Sequence, residues 1–133
     1  MKFAAHCLLL LALLAANRVR AEELVVIVNL AAPAIDKQQV MDLYLGRGSG
    51  WTPLDQVATS PIYVDFYKKA IGRDVAQVKA IWSTILFTGR GLPPKQLRDS
   101  AAIKKAVAAN PTAIGYIEKS AVDTSVKVVL AVK

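Results

Sequence analysis

The chain is poor in the residues that do chemistry. It has one cysteine and one histidine. Both, His6 and Cys7, fall in the first 21 residues, where Lys2 precedes an apolar stretch from Phe3 to Ala16. That stretch is 14 residues long, short of the ~20 needed to cross a bilayer. Val19 and Ala21 are small residues at the spacing of a signal-peptidase site, so the segment reads as a cleaved secretory leader with its cut after Ala21. Cys7 sits inside the apolar run, which argues against a lipid anchor. Removing 21 of 133 residues leaves 112, and losing Lys2, Arg18 and Arg20 takes 17 basic residues to 14 against 10 acids, so the net charge falls from +7 to +4. Without Cys7 and His6 the remaining chain has no thiol or Ser-His nucleophile, no His-ligated metal and no disulfide. An exported compartment permits disulfides, yet this domain must stand on its packed core, which 112 residues can supply.

Acids are few as well, and three of them have structural work to do. Asp36 and Asp74 each precede a glutamine by three residues, the spacing of a capping box, and Asp99 or Ser100 caps a third helix. No pair of carboxylates stands out for general acid–base catalysis. The reading is therefore non-enzymatic, with no cofactor and no metal. Nucleic acid is excluded too, because the lysines are scattered over helix faces and the aromatics lie on apolar stripes.

Two glycine-flanked arginines, in Leu45 to Trp51 (LGRGSGW) and in Thr88 to Gly91 (TGRG), look at first like phosphate cradles. A dinucleotide fingerprint places its glycines after a strand and before a helix, where helix amides face the anion. Here both segments follow a helical pattern, at its carbonyl end, which repels anions. They read as helix stops. Arg47 remains a candidate because its side chain could still reach a ligand.

The rest of the chain alternates. ELVVIVNL, residues 23 to 30, is a buried strand. A helix from Asp36 carries Val40, Met41, Tyr44 and Leu45 on its apolar face and stops at Gly46. PLDQVAT, residues 53 to 59, reads as a strand with Val57 and Leu54 inward. Ser60 and Pro61 open a helix with Ile62, Tyr63, Phe66, Tyr67 and Ala70 as its stripe, ended by Gly72. The next helix carries Val78, Ile81, Trp82, Ile85 and Leu86 and ends at Gly89. Arg90 to Arg98 reads as a basic, proline-stiffened connector, or as an exposed edge for an acidic partner. A further helix buries Ile103, Ala106 and Val107 and ends at Asn110-Pro111. Thr112 to Ile117 and Ser125 to Val132 are strands, and Gly115 inside the first implies a bulge or a close backbone approach. The order is strand, helix, strand, three helices, two strands: one α/β domain, three-layer-like, with a small central β-sheet flanked by helices.

Five segments together resemble a known family. They are ELVVIVN, DKQQVMDLYLGRGSGW, SPIYVDFYKKAIG, IWSTILFTGRGLPP and AANPTAIGYI. In this order they resemble the short proteins related to the phosphate-binding protein of phosphate ABC transporters, in the type II periplasmic-binding-protein superfamily. The resemblance implies one lobe of such a protein, a periplasmic location and phosphate or another oxyanion as ligand. Full-length relatives close two lobes on phosphate, so tight capture by this chain implies a homodimer or a partner lobe. The family's anion loop is Ser-Gly-Thr at a helix start, and the matching positions are Ser60, Pro61 and Ile62. Pro61 has no N–H and Ile62 no hydroxyl. The candidate anion site is therefore Thr59, Ser60, the amides of Ile62 and Tyr63, and Arg47. The alternative is an interaction or sensor module that has lost anion binding and docks on a membrane protein.

Overall fold

The computed structural model describes residues 23–133; the expected leader and its cleavage point lie outside the described residues. Strand β1, Leu24–Val28, is buried along its whole length. The reason is its position, because in the sheet order β3-β2-β4-β1-β5 it has a neighbour on both sides and helices over both faces. Its side chains alternate between two cores. Leu24, Val26 and Val28 enter the larger one, and Val25 and Ile27 enter the smaller.

Helix α1, Lys37–Tyr44, begins with the expected box: the Gln39 amide donates to Asp36 Oδ1 at 2.8 Å and the Asp36 amide to Gln39 Oε1 at 3.0 Å. Strand β2 is Thr52–Gln56. Helix α2, Pro61–Phe66, is six residues long and widens into a π-helical turn, Tyr67–Ile71, closed by Gly72 at φ 72°. Helix α3, Val75–Phe87, repeats the box with Asp74 and Gln77. Then follow β3, Lys95–Leu97, α4, Ser100–Ala109, β4, Ala113–Glu118, a 3-10 turn, Lys119–Ala121, and β5, Lys127–Val132.

Strand β1 is antiparallel to β4 and β5, whereas β2 is parallel to β3 and β4. Residues of α1, α2, the π turn and α3 build the large core, and Ile103 and Val107 of α4 build the small one on the opposite face. This is the expected α/β architecture of a sheet between helical layers.

Three expectations need correction, and two alternatives resolve. The strand expected over residues 53 to 59 ends at Gln56, and Val57 is half-buried beyond it, its amide bonded to Leu97 O at 3.1 Å. The stretch 90 to 98 is more than a connector, since residues 95–97 extend the sheet beside β2. Of the two caps weighed for α4, Asp99 serves, accepting the Ala102 amide at 2.9 Å. Leu86, expected on the inward stripe, is 47% exposed in the last turn of α3, beside Phe87 at 94%. The Gly115 alternative resolves as a close approach. A Cβ there would lie 2.5 Å from Ile103 Cγ2, while the β1–β4 register runs unbroken. The one register shift of β1 is with β5, between Val26 and Ile27.

Candidate functional site

Ser60 is the N-cap of α2, with Pro61 in the first helical position. Its hydroxyl already accepts the Ile62 amide, at 3.2 Å. One of the few N–H groups that could face an anion is thus turned onto the chain itself, and Pro61 offers none. Thr59 is exposed and Ile62 half-buried. Tyr63 is 4% exposed and lines a cavity of about 420 Å³.

Arg47 lies elsewhere. It follows α1, its amide donating to Asp42 O at 2.8 Å and its guanidinium lying 3.3 Å from the Asp42 carboxylate. Arg90 follows α3 in the same manner, with its amide on Ile85 O at 3.1 Å and its Nε on Thr88 Oγ1 at 3.0 Å. Both glycine-flanked arginines are therefore at helix carbonyl ends. Packing of α3 on α1, where the Trp82 Nε1–H donates to Tyr44 O at 3.2 Å, brings them to a shared cavity of about 290 Å³.

The group that dominates the interior was absent from the sequence reading. Alternation along β2 puts Leu54 into the small core and turns Asp55 to the opposite face, among tyrosines. Asp55 is 3% exposed. The Tyr67 hydroxyl donates to Oδ2 at 2.8 Å and the Tyr116 hydroxyl to Oδ1 at 2.9 Å. The Gln56 amide in turn donates to the Tyr116 oxygen at 3.1 Å. Burial pushes the Asp55 carboxyl up from 3.8 to about 7, against the pull of its two tyrosine hydrogen bonds. Burial, followed by the Asp55 charge, holds the phenols of Tyr67 and Tyr116 far above their ordinary range. The rings support one another, with Phe66 stacked on Tyr116 at 3.8 Å and meeting Tyr44 edge-on at 4.8 Å.

Gln56 points back to the α4 side. There its Nε2 donates to Ser100 Oγ at 2.9 Å, and Ser100 donates to Glu118. Among the described residues no buried side-chain nitrogen or oxygen lacks a partner, and no cluster of histidine, cysteine and acids could hold a metal ion. No helix of the described residues is long and apolar enough to cross a membrane. The sequence signal for Asp55 was its setting. An aspartate inside a strand pattern, with no helix to cap, is disfavoured there unless something pairs it.

No protein-family model matches the sequence, and comparison with curated proteins finds no match. The structure does match solved ones. It is similar to an ABC-type phosphate transport receptor from Vibrio cholerae, with TM-score 0.64, 22% identity, and coverage of 81% of this chain and 45% of that one. It is also similar to a Clostridium perfringens protein, described as a phosphate ABC transporter substrate-binding protein with bound phosphate, with TM-score 0.58, 20% identity, and coverage of 81% and 44%. This chain spans less than half the length of either. Over the matched 81%, this chain has the fold of a single lobe of the phosphate-transport receptors.

Proposed function

We propose that this chain is an exported, non-enzymatic binding domain that docks on a membrane protein partner instead of closing on phosphate. The observation that carries this reading is the state of the α2 start. The Ile62 N–H is committed to Ser60 Oγ at 3.2 Å, and Pro61 has no N–H to donate. Hydrogen bonds to a charged oxygen contribute about 1.5–3 kcal/mol each, so two missing donors weaken phosphate by about two to four orders of magnitude. Exposed apolar side chains at the end of α3 and beyond it, Phe87 at 94% and Leu92 at 80%, support a docking role. Export rests on the leader reading and on the receptor fold.

A second reading, weak capture of an oxyanion, is favoured by Arg47 and Arg90 lining one cavity. One titration separates the two. Calorimetry with phosphate and sulfate is expected to give no saturable heat below ~1 mM. Micromolar binding that disappears in Ser60→Ala would return the function to the α2 start and refute docking without phosphate. Binding that survives Ser60→Ala and disappears in Arg90→Ala selects the second reading. A photo-crosslinker at residue 87, in the source cell, is expected to trap a membrane protein. A self-adduct would instead indicate a homodimer.

A further inference from the structure

Asp55 is a carboxyl without a cation. No lysine or arginine among the described residues pairs with it. Tyr67 and Tyr116 occupy two of the roughly four acceptor positions of its oxygens. A charge in that state is costly to bury unless something completes its shell.

Asp55 also forms part of the wall of the 420 Å³ cavity. The volume lies within the range of small-molecule sites. Its remaining wall has two characters. Val78, Trp82, Leu86 and Pro93 supply an apolar body, drawn from α3 and from the segment before β3. Tyr63 adds a phenol to the same wall. An anion is the wrong occupant, because Asp55 would repel it when ionised.

We propose that this cavity binds a small apolar amine, its ammonium on Asp55 and Tyr63 and its hydrocarbon body against Val78, Trp82, Leu86 and Pro93. An ammonium offers three donors and a full charge to a carboxylate that has vacant lone pairs and little water. The electron-rich faces of Trp82 and Tyr63 add to the attraction. Lys79 lines the same cavity and is exposed. Its like charge opposes the ligand and limits affinity. The titratable groups facing Asp55 are Tyr44 from α1, Tyr63 from α2, Tyr67 from the π turn and Tyr116 from β4. All are neutral near pH 7, so Asp55 is the group an amine must ionise, and binding strengthens as pH rises through its midpoint. This site shares Tyr63 with the α2 start, by its side chain and not its amide, and does not depend on the docking reading.

The test is a set of titrations of the protein at pH ~8 with cyclohexylmethylamine, cyclohexylmethanol and cyclohexanecarboxylate, followed by calorimetry and tryptophan fluorescence. Saturable binding is expected for the amine alone. Asp55→Asn is expected to weaken it ~10-fold or more, and Lys79→Met to strengthen it several-fold. Ser83, exposed on α3 and lining the cavity, provides the second variant. Ser83→Phe fills the mouth without touching the Asp55 hydrogen bonds and is expected to abolish binding, so the proposal stays decidable should Asp55→Asn fail to fold. No saturation by ~10 mM amine, equal binding of the alcohol, or binding indifferent to Ser83→Phe overturns it.

Discussion

Asp55→Asn also tests the electrostatics of the core through stability alone. The wild-type carboxyl titrates near 3.8 when unfolded and is pushed up to about 7 when folded. Each unit corresponds to ~1.36 kcal/mol, so keeping Asp55 ionised in the folded protein costs about 4 kcal/mol relative to the unfolded chain. Because the folded value is raised, the contribution of Asp55 is fully present below pH 3.8 and is lost as pH climbs to about 7. At 3% exposure, little water screens the effect. Asparagine is neutral throughout. Its amide can accept from one tyrosine and donate to the other, with a pairing loss of about 1 kcal/mol. The variant is therefore expected to be about 1 kcal/mol less stable than wild type near pH 4 and about 3 kcal/mol more stable above pH ~7. In melting temperature the latter is roughly 10–20 °C. The assay is thermal unfolding of both proteins from pH ~4 to ~8.5, read as the difference between them. Subtraction cancels the protein's general positive charge. The lowered Asp123, held down chiefly by Ser125 and by Lys104, loses its contribution only as pH falls below the ordinary carboxylate range, outside this window. Parallel curves for the two proteins would refute the reasoning, since they would mean that Asp55 titrates alike in the folded and unfolded chain.

Gly115→Ala places a methyl 2.5 Å from Ile103 Cγ2 and is expected to cost about 1–3 kcal/mol by overpacking. Adding Ile103→Ala should recover part of that loss in denaturant melts, whereas simple additivity would show that the two sites do not touch. Ser60→Ala removes the acceptor of the Ile62 amide and should cost ~1 kcal/mol, leaving any heat of phosphate binding unchanged. Asp74→Ala dismantles the α3 capping box, again at ~1 kcal/mol. Hydrogen exchange is expected to show the loss in the first turn of α3, with β1 protected as before.

Much of the framework was legible because it is local. The capping boxes of Asp36 with Gln39 and Asp74 with Gln77 close within one helical turn. The stops at Gly46, Gly72 and Gly89 need only the left-handed backbone that all three adopt. The apolar run of β1 announced a strand covered on both faces. The three-residue β3 carried no such mark. Lys95–Leu97 has no alternation to read, and it is a strand because β2 offers it an open parallel edge. Of the site, the self-capped Ser60 start was readable from Ser-Pro, whereas for Asp55 the sequence showed only an aspartate in a strand pattern and not the tyrosines that pair it.

By itself, then, the sequence determined where helices begin and end, that the first strand is buried, and that no histidine or cysteine chemistry is available in residues 22–133. Only the tertiary structure decided that Arg47 and Arg90 share a cavity and that Asp55 is buried. The partners that hold the Asp55 carboxyl lie 12 and 61 residues away. Hydrogen bonds within a turn leave their pattern in neighbouring letters. A carboxyl's burial depends on which distant rings the sheet brings to it, and that is set by strand pairing.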